Sequence, residues 1–135
     1  MTLSGPSLAH VRVHQVMHTG ILTTDPSTPL RVVARLMADQ RVHAVAVSDP
    51  DNARRPWGIV STLDVAAAAA ASADGTAGEA AATEVVTVSA SDPLDQAARV
   101  MVEHNVSHLI VIDPGSGHPA GILSSLDIAA AYASA

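Results

Sequence analysis

The chain contains no cysteine and no phenylalanine, and Trp57 and Tyr132 are its only other aromatics. Without thiols it has no disulfide framework, no cysteine nucleophile and no thiolate zinc site, and the redox compartment is left undetermined. Without aromatic bulk a core has to be assembled from Val, Ile, Leu, Met and Ala, which an apolar content of 48% can supply. Basic residues are scarce. Seven Lys plus Arg against thirteen Asp plus Glu leave a formal charge of −6, the wrong sign for attraction to a phosphate backbone, so no nucleic-acid partner is expected. Long apolar runs are missing too: no stretch reaches the roughly 18 residues of a membrane-spanning helix. Met1 to His10 lacks a basic region followed by an apolar one, so no secretory signal and no membrane contact are expected, and the cytoplasm is the expected compartment. A length of 135 residues leaves room for one compact module or two very small ones, not for a multidomain enzyme.

What the chain does have is a repeat. Pro29-Leu30 recurs as Pro93-Leu94, and the same register carries Ala34, Arg35 and Met37 onto Ala98, Arg99 and Met101. Val42 falls on Val106 and Asp49-Pro50 on Asp113-Pro114. After a one-residue change in the next loop, Gly58-Ile59-Val60-Ser61-Thr62-Leu63-Asp64-Val65 matches Gly121-Ile122-Leu123-Ser124-Ser125-Leu126-Asp127-Ile128. Two copies of one fold tolerate an indel in a turn.

Within each copy the hydrophobic period changes in a fixed order. Ile21 to Thr24 and Val85 to Val88 are β-branched runs. Thr28 and Asp92 stand where N-caps belong, with Pro29 and Pro93 as first helical residues. Leu30, Val33, Ala34 and Met37 then follow a helical spacing, as do Leu94, Ala97, Ala98 and Met101. Ala44 to Val47 with Trp57 to Val60, and Leu109 to Ile112 with Ala120 to Leu123, read as hairpins. A second helix follows from Thr62 to about Ser72 and from Ser125 to about Tyr132. The spacing predicts an α/β (α+β) fold of two β-α-β-β-α repeats, residues 13–72 and 83–133, joined by a linker at 73–82 with one short helical turn. Each repeat alone is too small to bury enough surface, so the two are expected to pack about a pseudo-two-fold axis and share one core. The alanine-heavy second helices suit close approach, within the pair or to a second chain.

Ser61 with Asp64, and Ser124 with Asp127, have the spacing of a capping box, in which both side chains satisfy free N–H groups of a helix start. The same residues admit a second reading. A helix N-terminus after a glycine-entered strand offers N–H donors to phosphate, and an ionised Asp can accept both hydroxyls of a ribose. His10, His14 and His18 would share a face if their segment were helical, but Val11 and Val13 alternate with them as in a strand and no carboxylate is near, so no metal site is expected. His43, His108 and His118 have no ligand-like spacing. The two aspartates fall in different copies and form no acid/base pair, so the chain is not expected to be an enzyme.

The ordered unit ending in Gly, two aliphatics, Ser, two residues, Asp and an aliphatic resembles the cystathionine beta-synthase (CBS) domain. Two in tandem, from about Val13 to Ala131 and with Val16-Met17 leading into the first, resemble a stand-alone Bateman module. The chain departs from the family where a proline often stands in the second strand, here Ala46 and Ile110, and at the lead-in methionine of the second copy, here Ala82. The resemblance implies a regulatory sensor that binds an adenosine-containing ligand (AMP, ADP, ATP or S-adenosylmethionine) in clefts between the repeats and signals to an effector protein, with no cofactor required. It places Ser61, Thr62 and Asp64 beside ribose or phosphate in one cleft and Ser124, Ser125 and Asp127 in the other, with Thr23 and Thr87 lining the base region. Basic residues at the helix-to-strand turn reach phosphate in such proteins, which points to Arg41 and to His104; the alternative for both is a solvated helix end. Arg54 and Arg55 lie at a hairpin tip, roughly 10 Å or more from Ser61 at a strand rise of 3.3 Å per residue, and read as solubility or partner residues. Both copies keep Ser and Asp, so the ribose contacts are not expected to choose between clefts; the difference is expected at the phosphate end. The resemblance also implies a homodimer. The alternative is a structural dimerisation module with empty or vestigial clefts.

Overall fold

The computed structural model describes residue 5, residues 7–82 and residues 85–135, with the backbone alone at 53–55. In chain order the elements are α1 (Val13–Val16), β1 (His18–Thr19), β2 (Thr23–Thr24), α2 (Leu30–Gln40), β3 (Ala44–Asp49), β4 (Asn52–Ser61), α3 (Thr62–Ala70), α4 (Ala77–Ala80), β5 (Thr87–Ser89), α5 (Leu94–His104), β6 (His108–Ile112), β7 (Pro119–Ser124) and α6 (Ser125–Ser134). The mixed α+β content and the element order of both repeats agree with the sequence pattern. No helix among the described residues is long and apolar enough to cross a membrane.

The chain divides into two units, one of Ile21–Val85 and one of Met1–Gly20 with Val86–Ala135. In the first, β2 runs parallel to β3 and β3 antiparallel to β4. Leu30, Val33 and Met37, one turn apart along α2, pack with Val45, Val47, Val60 and Ala77. In the second the sheet order is β1-β7-β6-β5, and Leu94, Ala97 and Met101 of α5 pack with Val13, Val88, Leu109, Val111 and Leu123. Each fully buried aliphatic side chain contributes about 1.5–3 kcal/mol. Most of the buried apolar side chains fall in these two clusters, one per unit, while Ala44, Ala46, Ile59, Ile110 and Ile122 are buried outside both.

Each unit completes its core with the lead-in segment of the other repeat. In the second unit Leu94 N–H donates to Val11 O at 2.7 Å and Val13 N–H to Asp92 O at 3.0 Å. In the first unit Leu30 N–H donates to Gly75 O at 2.8 Å and Ala77 N–H to Thr28 O at 2.8 Å. Residues 75–82, expected as a linker, therefore make the bonds that 11–18 make in the other unit, and Ala77 and Val13 are both fully buried. The short helix α4 is fixed by a capping box of Thr76 and Glu79. α1 is fixed by Gln15 Oε1, which accepts from Arg12 N–H at 2.7 Å; Arg12 itself is extended and bridges Pro93, and the helical turn begins at Val13.

The N-caps differ by one residue from the expectation. Pro29 (φ −57, ψ 136) and Pro93 (φ −62, ψ 142) hold the cap position, and helix begins at Leu30 and Leu94. Neither proline can supply a side-chain cap, and the carbonyls of Gly75 and Val11 take over the first helical N–H groups. Gly58 and Gly121, which open the repeated motif, leave space for the lead-ins. A Cβ on Gly121 would meet His18 O and Met17 Sδ; one on Gly58 would lie 2.9 Å from Ala81 Cβ and 3.0 Å from Ala82 O. Met17 therefore corresponds to Ala81, and Ala82 corresponds to His18 rather than to the methionine.

Candidate functional site

Helices α3 and α6 open on the same device. Ser61 and Ser124 are extended (φ −101 and −109), which turns their side chains back over the first helical turn. Asp64 N–H donates to Ser61 Oγ at 3.3 Å, while Asp64 Oδ2 accepts from Ser61 N–H at 2.7 Å and from Ser61 Oγ at 3.0 Å. In the other copy Asp127 N–H donates to Ser124 Oγ at 3.1 Å and Asp127 Oδ2 accepts from Ser124 N–H at 2.8 Å. The capping box legible in the spacing is formed twice. It also occupies the donors that a phosphate would use. Thr62 N–H donates to His43 O at 2.9 Å and Ser125 N–H to Ser107 O at 2.8 Å, so of the first-turn N–H groups only those of Leu63 and Leu126 lie outside these bonds. The helix N-termini are largely closed to an anion, and recognition falls to side chains.

Here the two aspartates part company. Asp64 is half-buried, and no hydrogen bond to its Oδ1 is formed among the described residues. Asp127, only 12% exposed at its side chain, has Oδ1 3.3 Å from His18 Nε2 on β1. It also lines a cavity of about 590 Å³ with Ser7, His10, Val16, Ala130 and Ser134.

Of the remaining candidates, Arg41 and Thr62 come together. Both line a groove of about 360 Å³ floored by Met37, Val42 and Val65, because the His43 carbonyl ties the end of the α2 turn to the start of α3. Arg41 holds a left-handed backbone conformation (φ 54) as the C-cap of α2, and its counterpart on α5 is Asn105 (φ 52); His104 precedes that cap and is exposed. The register thus sets Arg41 against Asn105 and Gln40 against His104, as the repeat spacing has them. Thr23 and Thr87, both exposed, pair with Ala46 and Ile110 on the inner strand of each sheet, one strand away from the motif strands β4 and β7. The side chains of Arg54 and Arg55 lie outside the described residues. His14 is on α1, while His10 precedes that helix and His18 follows it, so the three do not share a helix face. No group of three or more His, Cys, Asp or Glu able to hold a metal occurs among the described residues. The residue that the sequence reading missed is His18. Extending the repeat register into the lead-ins, where His18 stands opposite Ala82, is the signal that would have found it.

Two α+β repeats, each closing on a capped Ser-to-Asp helix start, define a tandem module of one recognisable class. The CBS domain profile matches residues 13–71 and again 77–134, and the chain belongs to the CBS domain family as a tandem pair. Among solved structures it is similar to a CBS domain protein from Pyrobaculum aerophilum complexed with AMP, at 29% identity over 93% of this chain and 100% of that one, with a TM-score of 0.76. It also shares the fold of the CBS domain pair of protein MJ0100, in complex with 5′-methylthioadenosine and S-adenosyl-L-methionine, at 22% identity, 92% and 97% coverage and a TM-score of 0.79. Among curated proteins, a homoserine O-acetyltransferase from Methanosphaerula palustris is 31% identical over 118 residues, 87% of this chain; the chain spans 23% of that protein's length.

Proposed function

We propose that this CBS pair is a regulatory module that binds an adenosine-containing ligand, of the AMP, ADP, ATP or S-adenosylmethionine class, and passes its occupancy to an effector protein. The observation that carries the reading is the Asp64 carboxylate. The capping box fixes one oxygen, while Oδ1 keeps its lone pairs for a ribose hydroxyl. Asp64 and Asp127 take ribose, with Ser61, Thr62, Ser124 and Ser125 beside them; Thr23 and Thr87 face the base. Arg41, always charged, serves phosphate, and His104 holds the neighbouring position of the second copy. The AMP complex of the 29% identical Pyrobaculum relative supports the ligand class. In this reading no cofactor is required and the module is not an enzyme. Each aspartate is committed to a helix cap in its own unit, which leaves no acid/base pair. The acidic chain works in the cytoplasm without nucleic-acid or membrane contact.

A homodimer belongs to the same proposal. Leu63, Ala66, Ala67 and Ala70 form an exposed stripe at i, i+3, i+4 and i+7 along α3, and Leu126, Ala129, Ala130 and Ala133 repeat it on α6. Leu63 is 76% exposed and Leu126 62%, and small residues let helices approach closely. These stripes also favour the alternative of a structural dimerisation module that takes no ligand. Isothermal titration with AMP, ADP, ATP and S-adenosylmethionine decides: saturable binding of at least one is expected, and heat no larger than dilution for all four selects the dimerisation module.

A further inference from the structure

The two lead-in segments enter their units in the same register. His18 pairs with Ile122, two residues before Ser124, and Ala82 pairs with Ile59, two residues before Ser61. Residues 18 and 82 are therefore equivalent positions beside equivalent aspartates, one with an imidazole and the other with a methyl group. At Asp127 Oδ2 accepts from Ser124 N–H at 2.8 Å, and Oδ1 lies 3.3 Å from His18 Nε2, where the imidazole covers it. At Asp64 the hydrogen bonds among the described residues are to Oδ2 alone, and Ala82, with a methyl side chain, has no polar group to offer Oδ1.

We infer that His18 is a specificity-determining residue that distinguishes the two ligand positions: Asp64 is the open ribose acceptor and Asp127 a gated one, at which a ligand must displace the imidazole first. This rests on the reading of the aspartates as ribose acceptors, and it replaces the expectation that the ribose contacts would not choose between copies. The gate is a soft one. The His18 side chain is 74% exposed, so its ring can swing into solvent, and the Asp127 oxygen it uncovers, on a side chain only 12% exposed, is taken by the ligand's hydroxyl. The pair should therefore fill in order, Asp64 before Asp127.

The test isolates each position and exchanges the residue beside it. In an Asp64→Ala background, which keeps only the gated position, His18→Ala should tighten AMP by roughly two- to tenfold, the equilibrium equivalent of one net polar contact. In an Asp127→Ala background, Ala82→His should weaken AMP by a similar factor. Circular dichroism and a thermal melt on each variant keep a folding defect from passing as a binding effect. AMP affinity that is unchanged or weaker on His18→Ala, or unchanged or tighter on Ala82→His, overturns the gate while leaving the aspartates as ribose acceptors. If neither Asp64→Ala nor Asp127→Ala alters AMP binding, or no AMP binds at all, the ribose reading itself fails and takes the gate with it.

Discussion

Replacing Gly121 by alanine should be among the most damaging single-methyl changes in the chain. The new Cβ would collide with the main-chain oxygen of His18 and sit 3.0 Å from Met17 Sδ. A side chain could rotate away from such a contact, but a backbone oxygen can move only if β1 shifts. That shift would disturb both of its pairings with β7, His18 to Ile122 and Thr19 to Gly121. It would also strain the seat of the fully buried Val13 in the same lead-in. Overpacking of this kind costs about 1–3 kcal/mol, and the unyielding partner puts Gly121→Ala at the top of that range. About 3 kcal/mol corresponds to a fall in Tm of roughly 10 °C for a chain of this size. Gly58→Ala, whose Cβ would meet Ala81 Cβ at 2.9 Å and Ala82 O at 3.0 Å, should be milder, because its nearest contacts are longer than the one to His18 O, although both partners are fixed to the backbone. Gly117 is the control. It has φ +73 with nothing within 4 Å of a Cβ, so Gly117→Ala should cost only about 1 kcal/mol of backbone strain. Urea unfolding of the three variants gives the order directly. Gly121→Ala as stable as Gly117→Ala would refute the argument that the motif glycines exist to admit the lead-ins.

Asp64→Ala should weaken AMP about ten- to a hundredfold, from loss of about 1.5–3 kcal/mol of charge-assisted hydrogen bonding, and should also lower stability by about 1 kcal/mol through the broken cap. Asp64→Asn, with an oxygen still available to Ser61 N–H, should recover much of the stability and little of the affinity. Arg41→Asn should remove the preference for AMP over adenosine while leaving Tm equal or higher, since asparagine tolerates the left-handed conformation that arginine holds at φ 54. Ala67→Glu together with Ala130→Glu should shift light scattering toward the 13.7 kDa monomer; an unchanged dimer mass would reject the helix stripes as the interface. Asp25 accepts from the Ser27 backbone N–H and hydroxyl, which holds its carboxyl below the ordinary 3.8. Its contribution is present above that ordinary value and disappears as pH falls through the lowered one. The difference in urea midpoint between wild type and Asp25→Ala should therefore shrink in acid below pH 3.8 and stay constant from pH 5 to 7.

The sequence pattern made the elements legible where they are local. Leu30, Val33 and Met37 recur at helical spacing and are buried on one face of α2, and Ser61 to Asp64 carries its capping box in four residues. It was misleading where a distant carbonyl takes over a local job. Thr28 looks like an N-cap, yet Pro29 holds that place because Gly75 O receives the Leu30 N–H. The repeat register predicted two equal aspartates, since it compares each residue only with its own counterpart. What distinguishes them is a contact between His18 and Asp127, brought together by pairing of β1 with β7 across most of the chain length. Nothing local to either residue announces it. The same exchange of lead-ins explains why Ala77, in an alanine- and glycine-rich stretch that reads as a linker, is fully buried.

The central claim is that the capped aspartates hold the ribose of an adenosine ligand. AMP titrated by calorimetry into wild type and into the Asp64→Ala, Asp127→Ala double variant, with both shown folded by circular dichroism, tests it most directly. Saturable binding to the wild type and a loss of at least a hundredfold in the double variant is the predicted result. Equal affinity for the two proteins would contradict it, and would leave these carboxylates as helix caps and nothing more.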